Sequence, residues 1–308
     1  MVQDSQIRVA LVAYPGAQQA ALLGLRDLLE AAGGGAPGQA RRFKTELVGD
    51  FAAQGQFDAV VLPPSLGERP SGAALQAIAG WVKKQHKGGA LACSVCAGAF
   101  LLAAAGVLDG RPATTHWALA QDLARSYPQV QLQADRLLID DGDVITAGGL
   151  MAWTDLGLRL IARFMGPAEM LATARFFLID PGVREQSYYN LFAPGLTHGD
   201  AAVLEAQHWL QARFHQPVAV PQMAAAAGLE ERTFLRRFQA ATGLAPSQYL
   251  QQLRIAKARE QLELSTASIE AIAMAVGYLD VSAFRKLFLR TVGLSPSAYR
   301  KRFAPARC

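Results

Sequence analysis

The last third of this 308-residue chain repeats itself, and the repeat restricts the fold more than any other feature. "GLAPSQYL" (243–250) matches "GLSPSAYR" (293–300), and "FLRRF" (234–238) matches "FRKLF" (284–288), both at an offset of 50. "VPQMAAAAG" (220–228) matches "IEAIAMAVG" (269–277) at an offset of 49. Self-similarity of this kind means one supersecondary unit used twice. Each copy reads as helix, tight turn, helix. Val220, Met223 and Ala227 share one helical face, as do Ile269, Ile272 and Val276. Gly228 and Gly277 stand where a helix ends in a left-handed residue. Phe234 with Phe238, and Phe284 with Phe288, recur at i, i+4 and point to a core. The opposite faces carry Arg232, Thr233, Leu235 and Arg236 in the first copy, and Val281, Ser282, Arg285 and Lys286 in the second. Ser295-Pro296 makes an N-cap and first-turn pair. Ala245-Pro246 keeps the proline without the cap, so that helix is expected to start less firmly.

Charge follows the same division. Residues 1–200 hold 16 Lys and Arg against 18 Asp and Glu, a net of −2. Residues 201–308 hold 14 against 7, a net of +7, which points to a polyanion partner for that third alone. Basic second helices in paired helix-turn-helix units suit the major groove. On these motifs, above all "GYLDVSAFRKLFLRTVGLSPSAYRKRF", the region resembles the AraC/XylS family of bacterial transcription regulators. The resemblance implies two helix-turn-helix units joined by a long helix, here Pro246 to about Leu264, with Ile255, Ala258 and Leu262 on one face. It implies binding to double-stranded operator or promoter DNA, the two recognition helices entering successive major grooves about 34 Å apart. Arg232 and Arg236 would reach guanine O6/N7 or a phosphate, Ser282 and Lys286 are the second-unit candidates, and Val281 offers only apolar contact.

The first two-thirds reads as an α/β domain. "IRVALVAY" (7–14), "FDAVVLP" (57–63) and "GALACSV" (89–95) are strand-like. "RLLIDDGDVITAGG" (136–149) reads as a hairpin turning at Asp141-Gly142. Helical stretches lie between and after them, which predicts a mostly parallel sheet covered on both faces. Sites in such sheets lie beyond the carboxyl ends of the strands. Cys96 falls at one of those ends, in "ALACSVCAGAFLLAAAGVLDGRPATTHW" (90–117), at a strand-to-helix elbow with His116 downstream. The amides that follow it, at Ala97 and Gly98, are expected to lower the thiol pKa and to form an oxyanion hole.

This elbow and its surroundings resemble the DJ-1/PfpI superfamily, related to class I glutamine amidotransferases, and with the C-terminal part the chain looks like the GlxA-type regulators. The fold implied is a flavodoxin-like parallel-sheet sandwich at residues 1–180, a linker at 181–200, entered by "THGDAAVLEAQHWL" (197–210), and an all-α DNA-binding domain at 201–308. The implied pocket is lined by Gly16, Gln18, Ser65, Cys96, Ala97, Gly98, His116, Trp117 and Gly149. Two departures weigh against chemistry there. "YPGAQQAALLG" (14–24) lacks the carboxylate that enzymes of the superfamily aim at the thiol. "LPPSLG" (62–67) places Pro63 and Pro64, which have no N–H, where backbone donors are usual. The expectation is therefore a small-molecule effector bound without turnover, and no catalytic residue, cofactor or metal. A cysteine enzyme, with a carboxylate such as Asp155 reaching in, or a Cys96 redox sensor is the alternative.

Cys93 reads as a core residue, and Cys308, the last residue, as mobile and without function. Three cysteines make no disulfide framework. "AAGGGAPGQA" (31–40) reads as a surface loop. No secretory signal is seen, and the longest uncharged apolar run, 97–108, is too short to span a bilayer. The chain is expected to be a cytoplasmic homodimer and an activator, with RNA polymerase as a further partner and no membrane.

Overall fold

The computed structural model describes residues 5–33, 41–52, 55–182, 186–189, 192 and 194–305. The chain forms two compact units, Met1–Gln186 and Ser187–Cys308. In the first, the order is β1 (Ser5–Val12), α1 (Gln19–Ala31), β2 (Arg41–Val48), β3 (Ala59–Leu62), α2 (Gly72–Lys87), β4 (Leu91–Val95), α3 (Gly98–Ala104), β5 (Pro112–Ala113), α4 (Ala120–Ser126), β6 (Gln131–Leu132), β7 (Leu138–Asp140), β8 (Val144–Ala147), α5 (Trp153–Met165) and α6 (Pro167–Phe176). The main sheet runs β2-β1-β3-β4-β8-β7. All its pairs are parallel except β7 with β8. Every residue of β3, β4 and β8 is buried, as strands covered on both faces must be. Asp141 and Gly142 turn the hairpin, with Asp141 N–H donating to Val144 O at 2.8 Å and Gly142 at φ +84°.

One strand of the main sheet escapes the sequence reading, as do the two short strands β5 and β6 that pair apart from it. β2, "RRFKTELV", carries a charge at Arg41, Arg42, Lys44 and Glu46 and lacks the apolar run of its neighbours. It lies at the sheet edge, paired with β1 from Ser5↔Arg41 to Val12↔Val48, where a strand has one free edge and needs little apolar surface. Phe43 is its buried anchor, edge-on to Phe164 of α5. Long-range pairing decides such a strand, and local propensity does not. Cys308 and residues 34–40 of the glycine-rich loop lie outside the described residues.

The second unit is helical among the described residues: α7 (Ala201–Arg213), α8 (Val220–Ala226), α9 (Glu231–Thr242), α10 (Pro246–Leu264), α11 (Ile269–Ala275), α12 (Val281–Val292) and α13 (Pro296–Phe303). Two cores alternate along it. Phe234 and Phe238 pack with Met223, Tyr249, Leu250 and Leu253. Phe284 and Phe288 pack with Ile255, Ala258, Leu262, Ile272 and Tyr299. The first half of α10 therefore closes one helix-turn-helix unit and its second half closes the other. Gly228 (φ +63°) and Gly277 (φ +88°) take the left-handed turns that a β-carbon would oppose.

The helix starts differ as their sequences dictate. Ser295 accepts from Ala298 N–H at 3.2 Å, and Asp280 accepts from Ser282 and Ala283 N–H, so α13 and α12 are capped. Glu230, before α9, makes no such bond. Ala245 has no side chain to cap α10, but Gln248 reaches back to accept its N–H at 3.2 Å, which offsets part of the loss.

Candidate functional site

Cys96 sits between β4 and α3 with φ +54°, a left-handed conformation that non-glycine residues rarely adopt. Two bonds hold it there: its N–H donates to Ala147 O at 2.7 Å, and its carbonyl accepts from Thr115 Oγ1 at 2.8 Å. Gly98 permits the close approach of α3 to the end of β3. A β-carbon there would lie 2.3 Å from Leu62 O and 3.0 Å from Pro63 O. Strain of this kind, held by its surroundings, concentrates at functional positions.

The electrostatics correct one expectation. The Cys96 thiol is 3% exposed, and burial pushes it up to about 11, although the backbone N–H groups of Ala97 and His116 pull it down. Desolvation of a thiolate at this depth outweighs two amides, that of Ala97 at the start of the seven-residue α3 and that of His116 before the turn Trp117–Leu119. The thiol is protonated near neutral pH. Cys93 is fully buried in β4 and is pushed up further by burial.

His116 reaches Cys96 through its backbone. Its ring Nδ1 accepts from Ala118 N–H at 3.1 Å and so caps a short 3-10 turn, Trp117–Leu119. Half-burial lowers its pKa, so the ring is neutral at neutral pH. The Trp117 ring lies 5.2 Å from it, tilted by 33°. Tyr14, which sequence reasoning missed, is buried and donates to Pro63 O at 2.8 Å. Its oxygen is also 3.0 Å from Ser65 Oγ. Burial pushes the Tyr14 phenol up to about 12, and the nearby Cys96 adds to that rise.

The loops after β1 and β3 are zipped together. Gln18 N–H donates to Pro64 O at 2.8 Å, and Leu66 N–H to Gly16 O at 2.8 Å. Gln18 is buried, and its Oε1 has no hydrogen-bond partner among the described residues. Buried polar atoms are nearly always paired, so an unpaired one marks a place for a donor. Gly149 follows β8, half-buried. Asp155 lies in the first turn of α5, where the Thr154 hydroxyl donates to it at 3.3 Å.

A second missed residue is Gln186, 2% exposed and far along the chain. Its Nε2 donates to Thr115 O at 2.8 Å and Arg136 O at 2.9 Å, and its Oε1 accepts from Trp117 N–H at 3.2 Å. Gly148 makes room for it, since a β-carbon there would lie 1.9 Å from Nε2. A lone glutamine outside any periodic pattern gave no signal of burial.

In the second unit, α9 exposes Arg232, Leu235 and Arg236 with Thr233 half-buried. α12 exposes Ser282, Arg285 and Lys286 with Val281 half-buried. Arg285 is engaged by Glu270 of α11 at 2.7 Å. The neighbouring Arg237 points elsewhere, binding both carboxylate oxygens of Asp200, the N-cap of α7. Arg259 stands out on the buried face of α10: it is 4% exposed and donates to Tyr299 OH at 2.9 Å. Among the described residues, no helix is long and apolar enough to cross a membrane.

A parallel sheet with a strained thiol elbow, followed by two helix-turn-helix units on one shared helix, defines a two-module protein of the kind that couples a DJ-1-like domain to a DNA-binding one. The DJ-1/PfpI family matches residues 35–163, and the helix-turn-helix domain family matches residues 223–302. The chain is 26% identical over 222 residues to the HTH-type transcriptional regulator GbdR of Pseudomonas aeruginosa, covering 72% of this chain and 60% of that protein. It is 27% identical to CdhR of the same species (76% and 70% covered) and 29% identical to GlxA of Rhizobium meliloti (68% and 64% covered). The chain joins a DJ-1/PfpI domain to a helix-turn-helix domain of the AraC type, and in this it is similar to GbdR, CdhR and GlxA. It spans about 60% of the length of GbdR.

Proposed function

We propose that the chain is a sequence-specific DNA-binding transcription regulator whose first unit holds a small-molecule effector at the Cys96 end of the sheet. The observation that carries the DNA half is the pair α9 and α12. Each buries two phenylalanines, exposes basic side chains on the other side, and is packed against the same helix α10. Two rigid recognition helices on one support suit two major-groove contacts. The names of GbdR, CdhR and GlxA as transcriptional regulators support the reading. Its finer form is a homodimer that activates transcription together with RNA polymerase.

For the first unit, the chemistry favours binding over turnover. A thiol held near 11 and a neutral imidazole committed to its own turn are poor nucleophile and base at neutral pH. The unpaired Gln18 Oε1 and the half-buried Ser65, His116 and Trp117 offer polar and aromatic partners to a small molecule.

The test has two arms. A duplex is selected from a random pool by the full chain, and Arg236→Ala is titrated against it. A guanine contact predicts a loss of about 1–3 kcal/mol on the selected duplex and little change on random DNA. Equal losses on both make Arg236 a phosphate contact, and failure to select any sequence refutes specific binding. Thermal unfolding of the full chain is then screened against small metabolites and peroxide, beside Cys96→Ser and His116→Ala. A saturable stabilisation that survives Cys96→Ser supports a binding pocket. A shift that needs the thiol, or mass added at Cys96, replaces this reading with a covalent or redox one.

A further inference from the structure

The two helix-turn-helix copies differ in charge at a pair of corresponding positions. Where the first copy has Pro221 and Leu235, the second has Glu270, at the start of α11, and Arg285, on α12. The two charges enter together, and they meet: Arg285 Nη2 donates to Glu270 Oε1 at 2.7 Å. Arg285 stands with Ser282 and Lys286 on the exposed face of α12, opposite the buried Phe284 and Phe288. The carboxylate is itself anchored. The backbone N–H of Glu270, with the Ser268 hydroxyl and the Arg285 charge, holds its carboxyl below the usual carboxylate range. Both side chains of the pair are about half exposed, and ion pairs in that setting add little to stability. What the contact fixes is the direction of the guanidinium.

We propose that Glu270 is a positioning residue that holds Arg285 ready to read a guanine, which makes Arg285 the specificity-determining side chain of the second helix-turn-helix copy. The proposal rests on the DNA-binding function proposed above. The pair occupies one N–H of Nη2. The other N–H of Nη2 and those of Nη1 remain, and together they form the fork that matches O6 and N7 of a guanine in the major groove. An unheld arginine loses rotamer freedom when it docks, whereas one already held by a carboxylate has lost it beforehand. Glu270 also carries a charge that phosphates repel. A carboxylate beside a DNA-facing arginine therefore weakens phosphate contact on every sequence, and only a guanine that completes the fork offsets the loss. Lys286, a rotatable point charge, has no such fork and suits a phosphate.

The probe is the duplex that the full chain selects from a random pool, with each guanine in turn replaced by 7-deazaguanine, which lacks the N7 acceptor. Binding of the full chain to these duplexes and to random DNA is measured by fluorescence anisotropy. Wild type is expected to lose about five-fold or more in affinity at one guanine that Arg285→Ala no longer senses. Glu270→Gln keeps the shape and removes the charge. It is expected to lose most of the sensitivity at that same guanine, and to bind random DNA as tightly as wild type or more so. Combining the two substitutions should remove no further sensitivity. A residue needed only for folding would weaken every duplex alike and leave the guanine sensitivity in place. A Glu270→Gln chain that keeps the full sensitivity therefore overturns the proposal, whether its overall affinity rises or falls. So does a wild type with no guanine whose replacement is sensed through Arg285, which makes that arginine a phosphate contact and leaves the DNA-binding reading standing. If no duplex can be selected, the DNA-binding reading fails first, and this proposal falls with it.

Discussion

Gly98→Ala tests whether the elbow is as tightly built as its geometry implies. The added β-carbon would lie 2.3 Å from Leu62 O, 2.9 Å from Leu62 C and 3.0 Å from Pro63 O. Ordinary contact begins at 3.4 Å, so α3 and the end of β3 must part by about 1 Å. All three atoms are backbone, and β3 is interior to the sheet with every residue buried. No side chain can rotate away. Overpacking of this kind costs about 1–3 kcal/mol, and backbone neighbours place the cost at the upper end. Alanine in place of glycine returns up to about 1 kcal/mol of helix propensity, less at the first position of a helix. The net is a loss of about 2 kcal/mol, which for a domain of this size lowers Tm by about 4–8 °C. Calorimetry of the full chain reads it, with the transition of the first unit falling and that of the second unchanged. An unaltered first transition would mean that the elbow has room. Equal movement of both would mean that the units unfold as one, and either result refutes the reasoning.

Other expectations follow from single contacts. Asp280→Ala removes the acceptor of two N–H groups at the start of α12 and should cost the second unit about 1 kcal/mol, while Asp280→Asn retains most of it. Denaturant unfolding followed by far-UV circular dichroism measures both. Glu230→Asp supplies α9 with a cap it lacks and should stabilise by about 0.5–1 kcal/mol in the same assay. Alkylation of Cys96 by iodoacetamide, followed by peptide mass spectrometry, should be slow at pH 8 and rise towards about 11. The sign for stability follows. Burial keeps the folded thiol protonated, so as pH climbs from 9 towards 11 the unfolded chain releases its proton first and the folded state loses ground. Fast labelling of Cys96 at neutral pH would contradict the desolvation argument. His116 works in the opposite direction. Its lowered pKa means that stability is held above the ordinary histidine range and lost as pH falls through it, and NMR titration of the ring locates the midpoint.

What the sequence determined by itself is the periodic and the repeated. The paired phenylalanines, the turn glycines and the extent of α10 follow from spacing along one helix, because a helix brings i and i+4 together whatever surrounds it. The buried parallel strands and the Asp141-Gly142 turn follow from equally local signals. The position of Cys96 at a strand end was legible for the same reason, since the elbow is a local break between two patterns. Tertiary structure alone decided the rest. β2 is a strand because β1 offers it an edge, and its own charges hide the fact. The thiol is pushed up rather than down because burial from all sides outweighs two nearby amides, and burial is a property of the whole fold. Gln186 meets Thr115 and Trp117 across some seventy residues of chain, in a space that exists only because Gly148 has no side chain. A polar side chain carries no periodicity to announce its partners, so a contact of that range is settled by packing and is invisible until the chain has folded.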